Sequence, residues 1–120
     1  MTPINLTTGD SLSRAEINDR QLSQEFLALM PMTLTLRRWD NQEYFSVIDP
    51  ALTARLPVTA RLRNQPLTLI IQKGVINLLL NETSNAVQPD LIPIGDILPS
   101  EDADPMDNSQ AQWQVRLSLA

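Results

Sequence analysis

Histidine and cysteine are both absent from the sequence. Without cysteine no disulfide can form. Without either residue no tetrahedral zinc site of the common nitrogen–sulfur kind can be built, and Ser–His and Cys–His nucleophilic machinery is excluded. A general acid or base would have to be Asp, Glu, Lys or the single tyrosine, Tyr44. Glycine is scarce too. Gly9, Gly74 and Gly95 stand far apart, so there is no glycine-rich phosphate loop. Positive charge is in deficit: nine Lys and Arg against fourteen Asp and Glu leave a net charge of −5. That balance repels a phosphate backbone, and nucleic acid is not an expected partner. The longest apolar stretch, residues 67–80, is interrupted by Gln72, Lys73, Gly74 and Asn77 and cannot cross a bilayer as a helix. The first ten residues show neither the basic start nor the apolar run of a secretory signal. The expectation is a cytoplasmic protein with no membrane partner, no metal and no cofactor.

What is present suits a soluble globular chain. Hydrophobic residues make up 42% and charged residues 19% of 120 positions, too apolar for a disordered segment. One domain over residues 1–120 is expected, burying about two thirds of its unfolded surface.

The stretch from Gln21 through Leu36 organises the rest. Leu22, Phe26, Leu29 and Met30 recur at helical spacing and define one apolar face. Asn18 is a natural N-cap with Gln21 three residues on, approximating a capping box, and Asp19 adds favourable negative charge. Pro31 ends the helix, so one substantial helix is expected over residues 19–30. Period-two alternation then sets Met32, Leu34 and Leu36 on one strand face and Thr33, Thr35 and Arg37 on the other. Upstream, residues 4–7 and 12–17 read as a hairpin about Thr8-Gly9-Asp10-Ser11. Downstream, residues 44–48 form a short strand broken by Asp49-Pro50, and residues 51–56 have room for one helical turn. A strand is possible at residues 58–62. Residues 67–71 and 75–80 form the most hydrophobic hairpin, with Leu79 expected in the core. Pro93 lacks a donor, so residues 91–98 are expected as an edge strand or a tight bend. Residues 99–112 read as an acidic surface loop. In the last strand, residues 113–119, Trp113, Val115, Leu117 and Leu119 face inward. Many short strands with one clear helix predict an all-β fold, a small barrel or sandwich.

Several of these segments resemble one family. FLALMPMTLTL (residues 26–36), LTLIIQKGVINLLL (67–80), LIPIGDI (91–97) and WQVRLSL (113–119) are similar, in order and spacing, to bacterial cyclophilin-like fold proteins. The resemblance covers nearly the whole chain. It implies a small closed cyclophilin-like β-barrel with one helix covering an end, in a family with no settled activity. Two departures stand out. Asn64-Gln65-Pro66 replaces the Gly-Asp usual before the hydrophobic hairpin, and Asp96 stands where relatives often carry Arg, so no ligand role is carried over at those positions. The resemblance leaves two functions open. One is a non-enzymatic binding or accessory module that uses the barrel face for a small ligand or peptide. The other is a weak prolyl isomerase of cyclophilin type, or an accessory subunit of a flavodoxin-like redox partner.

No catalytic residue can be named. The candidate ligand-binding residues are Arg37, Trp39 and Thr35, which alternation from Met32 places outside the core layer. A guanidinium, an indole and a hydroxyl in one stripe suit a small anionic or aromatic ligand, or a peptide. This assignment holds if the strand stays regular through residue 39. Glu101, Asp102, Asp104 and Asp107 lack the glycine and ligand spacing of a calcium loop and read as solvated. Asp40, Glu43 and Asp49 are explained by a polar turn. Gly95 is expected to serve backbone geometry, by positive φ or a close approach.

True cyclophilins use an Arg, Gln, Phe, Trp and His constellation, and no segment here matches it. A protease-coupled proline-peptide assay at micromolar protein should therefore show only the uncatalysed rate. Acceleration abolished by a single barrel-face substitution would contradict this.

Overall fold

The structure is a computed structural model that describes residues 1–9, 11–40, 43–55, 67–80, 90–99 and 111–120. Strands β1 (Thr2–Thr8) and β2 (Ser11–Ile17) precede helix α1 (Gln21–Leu27). Strands β3 (Met32–Asp40) and β4 (Glu43–Val47) follow, then the short helix α2 (Pro50–Thr53). Strands β5 (Thr68–Gln72), β6 (Val75–Leu80), β7 (Asp90–Ile97) and β8 (Gln112–Leu119) complete the order. The eight strands close in the sequence β1-β2-β7-β6-β5-β4-β3-β8. The recorded neighbours are antiparallel throughout. The all-β barrel expected from the residue pattern is the fold observed. The possible strand at residues 58–62 and the acidic cluster Glu101, Asp102, Asp104 and Asp107 lie outside the described residues.

Alternation fills the interior. Ile4 and Leu6 of β1, Ala15 and Ile17 of β2, Met32, Leu34 and Leu36 of β3, Leu69 and Ile71 of β5, Ile76 and Leu78 of β6, and Val115 and Leu117 of β8 are buried. Trp113 packs on this core from the rim, while Leu119 is exposed, beyond the inward run expected of it. Leu79 also departs from expectation. It belongs to the outer face, where it pairs with Thr68 and Leu91 and is only partly covered. Its neighbour Leu78 faces inward, and a period of two puts successive residues on opposite faces.

The helix is shorter than the residues 19–30 expected. Arg20 is extended and serves as the N-cap, so the first turn begins at Gln21. Beyond Leu27 the chain tightens: Leu29 N–H donates to the Phe26 carbonyl at 3.0 Å and Met30 N–H to that of Leu27 at 3.1 Å. The Met30–Pro31 peptide is cis. Phe26 and Leu29 insert into the core, and α1 plugs the barrel end where β2 finishes and β3 begins. Asn18 is not the N-cap but the junction. Its Oδ1 accepts from Arg20 N–H at 3.2 Å and from the Ser23 hydroxyl, and its Nδ2 donates to the Pro93 carbonyl at 2.9 Å. Its own N–H donates to the Ile94 carbonyl at 2.7 Å. Gln24 Nε2 donates to the Asn18 carbonyl at 3.0 Å. Asp19 pairs with the Met1 ammonium at 2.9 Å.

Strand β7 is neither an edge nor a bend. It lies between β2 and β6. Pro93 is tolerated there because it sits at irregular places in both ladders. The β6 register shifts beside it, with Ile76↔Gly95 followed by Asn77↔Pro93, and the β2 ladder has already ended at Ile17↔Gly95. Gly95 serves close approach rather than positive φ. A Cβ built on it would lie 2.5 Å from the Glu16 carbonyl oxygen and 2.8 Å from Ile17 Cδ1. Positive φ falls instead at Gly9 and at the Lys73-Gly74 turn of the β5–β6 hairpin.

Gly95→Ala should therefore lower stability by about 1–3 kcal/mol, because the β2 backbone has to move away. Leu34→Ala should cost about 2–5 kcal/mol through lost burial and a residual cavity. Urea denaturation measures both; a change below ~0.5 kcal/mol at Gly95 would contradict the close approach.

Candidate functional site

The ladder between β3 and β4 is short. Its recorded pairs are Arg37↔Phe45, Arg38↔Tyr44 and Asp40↔Glu43. From Arg37 back to Met32, the other edge of β3 pairs with β8. From Phe45 on to Val47, β4 pairs with β5. The recorded ladder between β3 and β4 ends at Arg37↔Phe45, and a cleft lies beyond it. Helix α2 borders its wide end. Its Asp49 cap accepts from Ala51 N–H at 2.8 Å, Pro50 supplies the first turn, and Leu52 packs on the core.

The cleft holds about 480 Å³ and is lined by Thr33, Leu34, Thr35 and Arg37 of β3, by Phe45, Ser46 and Val47 of β4, and by Asp49 and Leu52. That volume is within the range of small-molecule sites, roughly 300–1,000 Å³. Leu34 and Ser46 belong to the inward face and still reach the cleft. Arg37 stands at the apex, opposite Phe45, and both Arg37 and Asp49 are exposed. Met1 and Asp19 form an ion pair, and among the described residues none involves Arg37. The lining thus combines a guanidinium, two threonine hydroxyls and a carboxylate with an apolar wall of Phe45, Val47 and Leu52.

Arg37 and Thr35, proposed from alternation, both line this cleft. Trp39 is a different case. The β3–β4 register shifts between Arg38 and Asp40, which makes Trp39 the extra residue of a β-bulge. Alternation from Met32 no longer assigns it a face, and its side chain lies outside the described part of the structure. Residue-level reasoning missed the second wall. Phe45 and Val47 were legible as the outward set of YFSVI. Asp49-Pro50 was legible as a cap followed by a proline at the first helical position rather than a simple strand break. Nothing local revealed where the β3–β4 ladder would end. Among the described residues no group of three or more His, Cys, Asp or Glu could hold a metal ion. No described helix is long and apolar enough to cross a membrane.

Comparison with known proteins adds one match. The sequence model described as the cyclophilin-like family aligns with residues 6–118 of this chain. No curated protein and no solved structure matches.

The two charged residues of the cleft should differ in their structural roles. Arg37→Ala should change stability by no more than about 0.5 kcal/mol, as for a solvated surface charge. Asp49→Ala should cost about 0.5–2 kcal/mol by removing the cap of α2. Urea midpoints of the two variants check this, and equal values would contradict it.

Proposed function

The chain belongs to the cyclophilin-like family, and on that premise we propose that it is a non-enzymatic binding or accessory module whose β3–β4 cleft takes a small anionic ligand with an apolar or aromatic body. A peptide presenting such a group belongs to the same class. The observation that carries this reading is Arg37: an exposed guanidinium at the apex of a cleft, held opposite Phe45 and in no ion pair among the described residues. A guanidinium offers several donors in a planar fork that matches a carboxylate or phosphate. Thr35 and Thr33 add hydroxyls along the same strand, and Phe45, Val47 and Leu52 offer apolar cover for the rest of the ligand. Membership of the family sets the scaffold, whereas the function is argued from these side chains. The sequence has no histidine or cysteine to serve a Ser–His or Cys–His mechanism. Binding is what its chemistry suits. Trp39 is given no role.

Benzoate and the neutral, similarly shaped benzyl alcohol are suitable probes. Ligand that binds the folded state alone raises the melting temperature by mass action. Millimolar benzoate should raise it for the wild type, and benzyl alcohol should do so less. Arg37→Ala should lose the benzoate response while melting near the wild-type temperature. No response to benzoate, or an equal response in the variant, would refute the reading.

A further inference from the structure

The main chain of the cleft carries more information than its side chains. Successive residues of a strand direct their N–H and C=O groups to opposite sides. Arg38 N–H donates to the Ala111 carbonyl at 2.8 Å, on the β8 side of β3. Counting back in steps of two, Leu36, Leu34 and Met32 also address β8. Arg37, Thr35 and Thr33 therefore address β4. On the facing strand, Ile48 N–H donates to the Leu67 carbonyl at 2.8 Å, on the β5 side, so Val47 and Phe45 address β3. Arg37 and Phe45 find each other, and the ladder stops there. Thr33, Thr35 and Val47 thus turn main-chain donors and acceptors into the cleft, with no partner strand among the described residues. Among the described residues this stretch of β3 has no recorded pair on its β4 side, and it coincides with the cleft.

Resting on the reading of this cleft as a binding site, we propose that its occupant is the C-terminal end of an extended peptide, added as a strand along β3 with its terminal carboxylate at Arg37. Unpaired strand edges are templates for an added strand, which takes its affinity from main-chain hydrogen bonds. The shape of the cleft selects a chain end. At the apex Arg37 pairs with Phe45, so an inserted chain cannot run through and must stop there. The charge of the apex selects which end. A guanidinium favours a terminal carboxylate and repels a terminal ammonium. The peptide then runs parallel to β3 and antiparallel to β4. From Arg37 to Thr33 the edge spans about 13 Å, at about 3.3 Å per residue, which accommodates roughly four peptide residues. Asp49 borders the wide end, so an acidic residue about three positions before the terminus is disfavoured and a basic one is favoured.

Amide hydrogen exchange tests this in the intact chain. In the unliganded protein the Thr33 and Thr35 amides should exchange quickly, while those of Leu34 and Leu36, directed at β8, are protected. A pool of N-acetylated tetrapeptides with free C-terminal carboxylates, at about ten times its dissociation constant, should slow Thr33 and Thr35 about tenfold. The same pool as C-terminal amides should not, and Arg37→Ala should lose the effect of the acid pool. Acid and amide pools acting alike would overturn the proposal. So would an acid pool that leaves Thr33 and Thr35 unprotected. Benzoate separates the two levels. An Arg37-dependent benzoate response without peptide protection removes the strand-addition proposal and keeps the anion site; silence from both probes removes both.

Discussion

Three backbone pairs hold the barrel shut between its first hairpin and the rest of the sheet: Ala15↔Ile97, Glu16↔Asp96 and Ile17↔Gly95. Without them β2 and β7 would each expose an edge, and the inner faces of both would meet water. The seam joins residues about eighty positions apart, so a long loop must be closed before any contact there is made. Gly95 makes the approach possible, because any side chain would meet the Glu16 carbonyl. Asn18 continues the seam past the end of the ladder, taking up the carbonyls of Pro93 and Ile94 through its amide and its N–H. The same residue accepts from Ser23 and receives Gln24 on its carbonyl, which ties α1 to the seam. Placement of the helix, and with it of Phe26 and Leu29 in the core, depends on this joint.

Closure has a consequence on the other side of the molecule. Strand β3 follows β8 for six pairs, and β4 follows β5 for five. Those ladders use the other edge of each strand, and three pairs join β3 to β4. The bulge at Trp39 adds twist where the two do meet. Beyond the last of these pairs lies the cleft, where α2 borders the wide end and Leu52 packs onto the core. The chemistry of the cleft follows from which residues the outward alternation had placed there, namely Thr33, Thr35 and Arg37 facing Phe45 and Val47.

The overall charge sharpens the role of Arg37. On a chain of net charge −5, anions are repelled over most of the surface. A local guanidinium in a cleft is then the place where a small carboxylate is favoured, at short range and in competition with salt. Among the described residues the buried Thr8 hydroxyl and Trp113 indole N–H have no partner.

What the residues by themselves determine is whatever has a short period. Helical spacing of Leu22, Phe26, Leu29 and Met30 marks α1, and alternation from Met32 to Arg37 marks the two faces of β3. That alternation already set Arg37 and Thr35 outward. The absence of histidine and cysteine removes whole classes of chemistry. A period, however, carries no register and no neighbour. Pro93 looks like an edge residue until β7 is seen between β2 and β6, with the proline at a shifted register. Leu79 looks like core until Ile76 and Leu78 occupy the inward positions. Trp39 reads as an outward residue by alternation until the bulge at residues 38–40 interrupts the count. The end of the β3–β4 ladder at Arg37↔Phe45 leaves no local mark, because alternation names no partner strand and no register. Only the closed barrel decides it, because closure brings together strands that lie far apart in the chain.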